Sequence, residues 1–159
     1  LWEIKKFYNQ EFLLGKYAIG VLNQKLGTEF SEDEAGFIAL HFVNAEYNTN
    51  INDTFAMTNM INDILALVKR EMKVDFDEES LHYERFVTHL KFLTQRLYRH
   101  ELLKDEEIEF ARLMEGKYPK EYECSKKIAE YIEKQYGSKI SGEEIMFLSI
   151  HIKRVCMTE

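Results

Sequence analysis

The sequence is poor in the residues that interrupt helices, with one proline and seven glycines among 159 residues. Because proline and glycine mark the turns between short strands, their scarcity favours long helices over a many-stranded sheet. Hydrophobic residues make up 45% of the chain, which is enough to build a core, and charged residues make up 31%. This composition is typical of a globular protein rather than a disordered one, and it predicts an all-α fold.

Cysteine is equally scarce, and Cys124 and Cys156 cannot form a zinc motif by themselves. We expect two free thiols in a reducing cytoplasm, with no metal and no cofactor. The H-E-x-x-H, G-x-S-x-G and glycine-rich phosphate-binding motifs are absent. A di-iron bundle needs two E-x-x-H motifs, whereas only Glu79 with His82 fits. These absences predict a protein that is not an enzyme.

Basic residues are fewer than acidic ones, 21 against 28, so the formal net charge is −7. An acidic chain repels phosphate backbones, so these residues are not expected to bind nucleic acid directly. The sequence contains no apolar run near the roughly 20 residues of a membrane span. It also opens without a signal peptide. We therefore expect a cytoplasmic protein that does not associate with membranes.

Apolar periodicity and capping residues predict eight helices, with boundaries good to a few residues. Six have predicted spans at both ends: residues 2–12, 15–26, 55–72, 77–99, 105–115 and 121–136. The third and eighth helices begin at the capping boxes Ser31 with Glu34 and Ser141 with Glu144. We expect Gly27 and Gly137 to end helices, and Gly116 with Pro119 to end the sixth helix. Asp77 is expected to cap the fifth helix, and residues 48–53 to form a polar linker.

An internal repeat relates two halves of the chain, because residues 7–41 align without a gap on residues 117–151. The matching pairs include Tyr8 with Tyr118, Glu11 with Glu121, Lys16 with Lys126, Gly27 with Gly137, Ser31 with Ser141, Glu34 with Glu144, Phe37 with Phe147, and His41 with His151. The second copy begins near Thr54, whereas the first contains only the latter half of a module. We expect residues 1–50 to be the C-terminal half of a first domain and residues 54–159 to be a complete second domain.

Among five histidines, His41 and His151 occupy the same place in the repeat, each within an apolar helix. Helical spacing puts Glu144, Phe147 and Arg154 on the same side as His151. The ordinary interpretation of either histidine is a buried ring bonded to a backbone carbonyl.

His89 instead lies at the edge of the apolar stripe of the fifth helix, on the flank that also carries His82, with Arg85 and Arg96 further round. That stripe consists of Tyr83, Phe86, Leu90, Leu93 and Leu97. A group at this edge can pack against a partner and still be reached from solvent. The ordinary interpretation is a boundary histidine without a function.

Four segments carry a specific resemblance: FSEDEAGFIALHFVNAE, ESLHYERFVTHLKFLTQRL, YECSKKIAEYIEK and GEEIMFLSIHIKRV. They resemble the PTS regulation domains of BglG/SacY-type transcriptional antiterminators, over nearly the whole chain. The resemblance implies two helical bundles, the first truncated at its N-terminus, and two phosphorylatable histidines in each complete domain. It matches His41 to the second histidine of the first domain, and His89 and His151 to those of the second.

The resemblance also implies a carbon-source switch. Phospho-HPr of the sugar phosphotransferase system modifies the second domain and activates, whereas a sugar-specific enzyme II modifies the first domain and inactivates. The active form is a homodimer that holds an antiterminator RNA through a domain absent from this chain.

A phosphoryl group adds close to two negative charges, which need cationic partners at a helix seam. From helical spacing we expect Arg85, Arg96 or Arg154 to supply the positive charge. We also expect His89 and His151 to lie near the two-fold axis of a homodimer.

Three other functions remain open on the sequence. The same domains could belong to a DNA-binding transcriptional activator. A histidine phosphotransfer protein would pass the group on to another acceptor. A purely structural helical dimerisation module would hold all three histidines in its core.

Overall fold

The computed structural model describes residues 2–102 and 108–157. Within these ranges the chain forms helices and no strand, which confirms the all-α prediction. The helices are α1 (Trp2–Phe7), α2 (Asn9–Leu26), α3 (Glu32–Tyr47), α4 (Ile51–Met72), α5 (Leu81–Arg99), α6 (Ile108–Lys117), α7 (Pro119–Tyr136) and α8 (Gly142–Val155). None of the helices described here is long and apolar enough to cross a membrane.

Two compact units divide the chain, Leu1–Asn59 and Met60–Glu159. The first contains α1, α2 and α3, the second contains α5 to α8, and α4 begins in the first unit and ends in the second.

The first helix break lies at Tyr8, so the predicted helices over residues 2–12 and 15–26 were wrong at their junction. Tyr8 has φ −125° and ψ 52°, and α2 then runs unbroken to Leu26. The break places the Tyr8 ring in the core, edge-on to Tyr47 with ring centroids 6.1 Å apart. Its partner in the repeat, Tyr118, has a similar backbone, φ −132° and ψ 63°.

Two helices begin at residues other than those predicted, because side chains cap them elsewhere. The predicted linker over residues 48–53 is shorter, because Asn50 accepts a 2.9 Å bond from the backbone N–H of Asp53 and α4 begins at Ile51. The fifth helix begins at Leu81 rather than at Asp77. Ser80 is its N-cap and accepts from Tyr83 N, whereas Asp77 accepts from Glu79 N in the preceding turn.

The junction between the sixth and seventh helices also differs from the prediction. Residues 105–107, where the sixth helix was expected to start, lie outside the described residues. The helix continues through Gly116 to Lys117, and Pro119 begins α7 rather than ending α6. Proline suits the first turn of a helix, since the N–H that it lacks has no partner there.

The capping predictions hold at most of the repeated positions. Gly27 and Gly137 end α2 and α7 in the left-handed conformation, with φ of 65° and 67°. Ser141 caps α8 by accepting a 3.2 Å bond from the backbone of Glu144. Ser31 occupies the N-cap of α3, but its side chain makes no capping bond.

In the second unit α5 lies against α8, and α8 also packs on α6 and α7. The predicted apolar stripe of α5 is buried in full: Tyr83, Phe86, Leu90, Leu93 and Leu97. Polar contacts fix the neighbouring helices, with Tyr131 donating to Asp63 across α7 and α4 at 2.6 Å and Ser149 donating to Ser125 across α8 and α7 at 2.9 Å. These two bonds tie α7 to α4 and to α8, the helix on which α5 packs.

In the first unit α2 and α3 approach each other closely at Gly15. A Cβ added there would lie 2.2 Å from the backbone oxygen of Ala35, and backbone cannot move aside cheaply. Gly20 lies on the same helix but is exposed, and its added Cβ would meet nothing within 4 Å. The two glycines therefore form a matched pair for mutation.

We expect Gly15→Ala to lower the free energy of unfolding by about 2 kcal/mol, because the extra methyl forces α2 and α3 apart. Gly20→Ala should raise it by about 0.5 kcal/mol through better helix propensity. Urea unfolding followed by the fluorescence of Trp2, the single tryptophan and a residue of the first unit, measures both. Equal effects of the two substitutions would contradict the close approach.

Candidate functional site

Two of the predicted histidines meet where α5 packs on α8. The ring centroids of His89 and His151 are 4.6 Å apart, with an angle of 32° between their planes. Phe86 stacks beside His151 at 6.1 Å, and Phe147 lies 6.2 Å from His89. The seam thus holds two imidazoles side by side among aromatic rings.

A shallow groove of about 320 Å³ opens the histidine pair to solvent. Its lining residues are Leu81, Glu84, Arg85, Thr88, His89, Phe92 and His151. The side chain of His89 is 15% exposed, and His151 is half-buried. Neither imidazole is therefore sealed inside the core, and a donor group can approach both from one side.

Behind His89 lies a buried ion pair between Arg96 of α5 and Glu144 of α8. The guanidinium donates through Nε to Glu144 Oε1 and through Nη2 to Oε2, each at 2.9 Å. The Glu144 side chain has no solvent exposure. A buried carboxylate requires such charge-assisted bonds, so this pair connects the two helices that carry the histidines.

His89 is the next neighbour of that carboxylate, with its Nε2 atom 4.0 Å from Glu144 Oε2. This nitrogen is buried, and among the described residues it has no hydrogen-bond partner. The contact is not an ion pair, because burial, with His151 and Arg96 nearby, lowers the pKa of His89 to about 3. A neutral ring therefore lies between an ion pair and the groove.

Both imidazoles are held in their neutral form. The pKa of His151 is also lowered, by burial first and then by the positive charges of Arg154 and Arg85. A neutral imidazole has a free lone pair and is a nucleophile at physiological pH. The arrangement can therefore accept an electrophilic group such as phosphoryl without a separate base.

The three predicted arginines lie in different surroundings. Arg85 is exposed and lines the groove, whereas Arg96 is already committed to Glu144. Arg154 is exposed near the end of α8 and lines another cavity, of about 610 Å³, together with His82. Of these three, Arg85 is the one that borders the histidine pair from the solvent side.

His41, the third predicted histidine, belongs to the first unit and is exposed on α3. Its aligned acidic residue, Glu34, is exposed too, unlike Glu144. Helical spacing placed Glu144 beside His151 and Arg96 near His89. It did not reveal that Glu144 and Arg96 bond to each other. Their 48-residue separation gives no local signal, and only the opposite charges of two facing helices could have suggested the bond.

Other chemistry finds little support in the described part of the chain. No group of three or more histidine, cysteine, aspartate or glutamate residues there could hold a metal ion. Cys124 and Cys156 are free thiols. Burial raises the pKa of Cys124 to about 12, so its reactive thiolate is not populated at neutral pH.

Comparison with known proteins finds one family model and several similar curated proteins. The family model described as PRD domain matches residues 1–45 and 62–155. The transcription antiterminator LicT of Bacillus subtilis (strain 168) is 46% identical over 155 residues, 98% of this chain and 56% of the relative. The beta-glucoside operon antiterminator of Dickeya chrysanthemi is 40% identical over 154 residues, 97% of this chain and 54% of the relative.

A third relative, protein GlcT of Staphylococcus aureus (strain JH9), is 33% identical over 150 residues, 94% of this chain and 53% of the relative. The chain thus spans about half the length of these curated relatives.

The depressed pKa of His89 predicts a loss of stability in acid. Above pH 6.5 the His89 ring is neutral in the folded and in the unfolded chain. Below pH 6.5 the ring binds a proton in the unfolded chain but stays neutral in the folded one, where its pKa is about 3. The folded state is then penalised by about 2 kcal/mol at pH 5. We expect His89→Gln to lose correspondingly less stability than the wild type between pH 7 and pH 5, measured by urea unfolding.

His100→Gln is the matched control, because His100 is exposed at the end of the same helix. It should follow the wild-type pH dependence. A wild type and a His89→Gln variant with the same loss between the two pH values would show that the ring is not buried in its neutral form.

Proposed function

We propose that this chain, which belongs to the PRD domain family, is the phosphorylation-controlled regulatory segment of a transcriptional antiterminator. Two of its relatives are named as antiterminators, and the match to each extends over nearly all of this chain. The segment works as a regulator and not as an enzyme, in the cytoplasm. Its longer parent protein binds RNA through a domain outside this sequence.

The observation that carries the proposal is the pair of neutral imidazoles, His89 and His151, at the edge of a solvent groove. In the proposed reaction a phosphohistidine of HPr gives up its phosphoryl group. The donor P–N bond breaks as a new P–N bond forms to His89 or His151, and a proton passes from the accepting ring to the leaving one. The donor supplies the activated bond, so the acceptor needs only position and accessibility.

Arg85 is the cation that can meet the incoming group first. It lines the same groove as both histidines and is exposed. Its charge attracts the donor phosphoryl group and repels protons from His151. His41, on the other unit, is the proposed acceptor of the sugar-specific enzyme II.

We further propose that residues 1–50 form the C-terminal half of a first domain, and residues 54–159 a complete second one. Aligned positions of the repeat differ in burial, which supports this division. Phe30 is 44% exposed where Ile140 is 4% exposed, and Phe42 is 45% exposed where Ile152 is fully buried. Positions that are exposed in the first unit are therefore buried at the matching places of the second unit.

The segment is also proposed to form a homodimer through the face that carries the histidine pair. Leu81 and Phe92 line the groove and expose large apolar surfaces beside His89. Exposed apolar groups around a modifiable ring suit an interface, because a new charge there alters how two surfaces meet.

Phosphorylation is tested by incubating the chain with phosphoenolpyruvate, enzyme I and HPr, then mapping phosphohistidine by mass spectrometry. We expect modification of His89 and His151, and its loss at the substituted position in His89→Ala and in His151→Ala. His100→Ala, on an exposed histidine, should be modified like the wild type. A chain that takes no phosphoryl group from HPr, or takes it at His82 or His100 instead, would overturn the proposal.

The dimer is tested by sedimentation at micromolar concentration, with and without phosphorylation. Phe92→Ser should raise the dimer dissociation constant at least about tenfold, because it removes an aromatic contact next to the site. Phe110→Ser is the control, since Phe110 is equally exposed but lies on α6. A monomer in both phosphorylation states, or equal effects of the two substitutions, would contradict the proposed interface.

A further inference from the structure

The buried Arg96–Glu144 pair contributes more to the site than a link between two helices. Its carboxylate oxygen Oε2 lies 4.0 Å from Nε2 of His89, and the guanidinium donates to that same oxygen at 2.9 Å. Imidazole, carboxylate and guanidinium therefore meet around one oxygen within the seam. A charge added at the imidazole lies close to both members of the ion pair.

We propose that Glu144 is a positioning residue that holds Arg96 while His89 is unmodified and releases it to the phosphoryl group when His89 is modified. This inference rests on the proposed function, since it assumes that His89 becomes phosphorylated. It adds a residue, Glu144, and an exchange of partners within the α5–α8 seam. Arg96 is then the cation that the modified seam recruits.

Electrostatics give the direction of the exchange. A phosphoryl group carries close to two negative charges and offers three acceptor oxygens, against one charge and two oxygens for Glu144. A guanidinium pairs with either through its planar fork, and the attraction grows with the charge of the anion. In a seam where Glu144 is fully buried, the two anions repel each other strongly, so they cannot share Arg96 without a rearrangement.

The exchange also explains how a local modification can reach the helix packing. Glu144 lies in the first turn of α8, and its backbone N–H is bonded to the cap residue Ser141. Once Arg96 leaves, the carboxylate loses two charge-assisted bonds while remaining fully buried. Uptake of a proton by the carboxylate, or its movement toward water, then loosens the contact between the start of α8 and the end of α5.

The direct test uses phosphoramidate, a small phosphoryl donor, on the intact chain. The P–N bond of phosphoramidate breaks, the phosphoryl group binds an imidazole nitrogen, and the proton of that ring leaves with ammonia. Side-chain NMR then follows the arginine Nε–H groups and the glutamate carboxylate carbons. We expect the Arg96 and Glu144 signals to shift together with the phosphorylation of His89, while those of Arg99, exposed on the same helix, stay in place.

Variants give a second readout that a merely structural role would not produce. Glu144→Gln removes the competing anion, so the phosphotransfer equilibrium with HPr should move toward the chain by about tenfold. Arg96→Gln should move it about tenfold the other way, and Arg96→Lys should restore part of the loss. Arg99→Gln is the control and should match the wild type.

The proposed function and the exchange of Arg96 can be refuted independently. Modification of His89 by phosphoramidate with the Arg96 shift, but none by HPr, would refute the proposed function and leave the exchange intact. Modified His89 with unchanged Arg96 and Glu144 signals, or with a shift of Arg85 alone, would overturn the exchange. Failure of both donors to modify His89 would overturn both.

Discussion

A buried ion pair joins α5 to α8, and the histidine site depends on how these two helices pack. Arg96 and Glu144 form two parallel hydrogen bonds across the seam, with Glu144 fully enclosed. Such a pair adds little net stability over an apolar contact, but it is costly to break because a carboxylate that stays buried loses its charge-assisted bonds. The pair is therefore better suited to regulation than to stabilising the fold. Glu144 Oε2 lies 4.0 Å from His89 Nε2, so a modification of His89 can affect the pair.

The sequence predicted much of this fold because much of it is local. Left-handed glycines at Gly27 and Gly137, the cap at Ser141 and the buried stripe of α5 all follow from residue type and spacing. The break at Tyr8 was missed because no proline or glycine marks it, although the same backbone break recurs at Tyr118 in the repeat. The Arg96–Glu144 bond was missed for a similar reason, since the pattern of one helix does not reveal which charge faces it from another.

The repeat shows that one sequence pattern can give two environments. Glu34 and His41 match Glu144 and His151 in register, yet the first pair is exposed on α3 while the second lies in or beside the α5–α8 seam. A neighbouring helix, and not the helix that carries the residues, decides whether such a histidine is shielded from solvent. Membership in the PRD domain family therefore describes the chain as a whole, whereas the chemistry of each histidine depends on how that residue is packed.

A phosphoryl group on the histidine pair is expected to change how α5 and α8 pack. Hydrogen–deuterium exchange of the backbone amides, before and after stoichiometric phosphorylation, measures this most directly. The switch predicts altered protection in the first turn of α8 and the last turns of α5, with α2 and α3 unchanged as an internal reference. Unaltered exchange in α5 and α8 of a chain shown to carry phosphohistidine at His89 would contradict it.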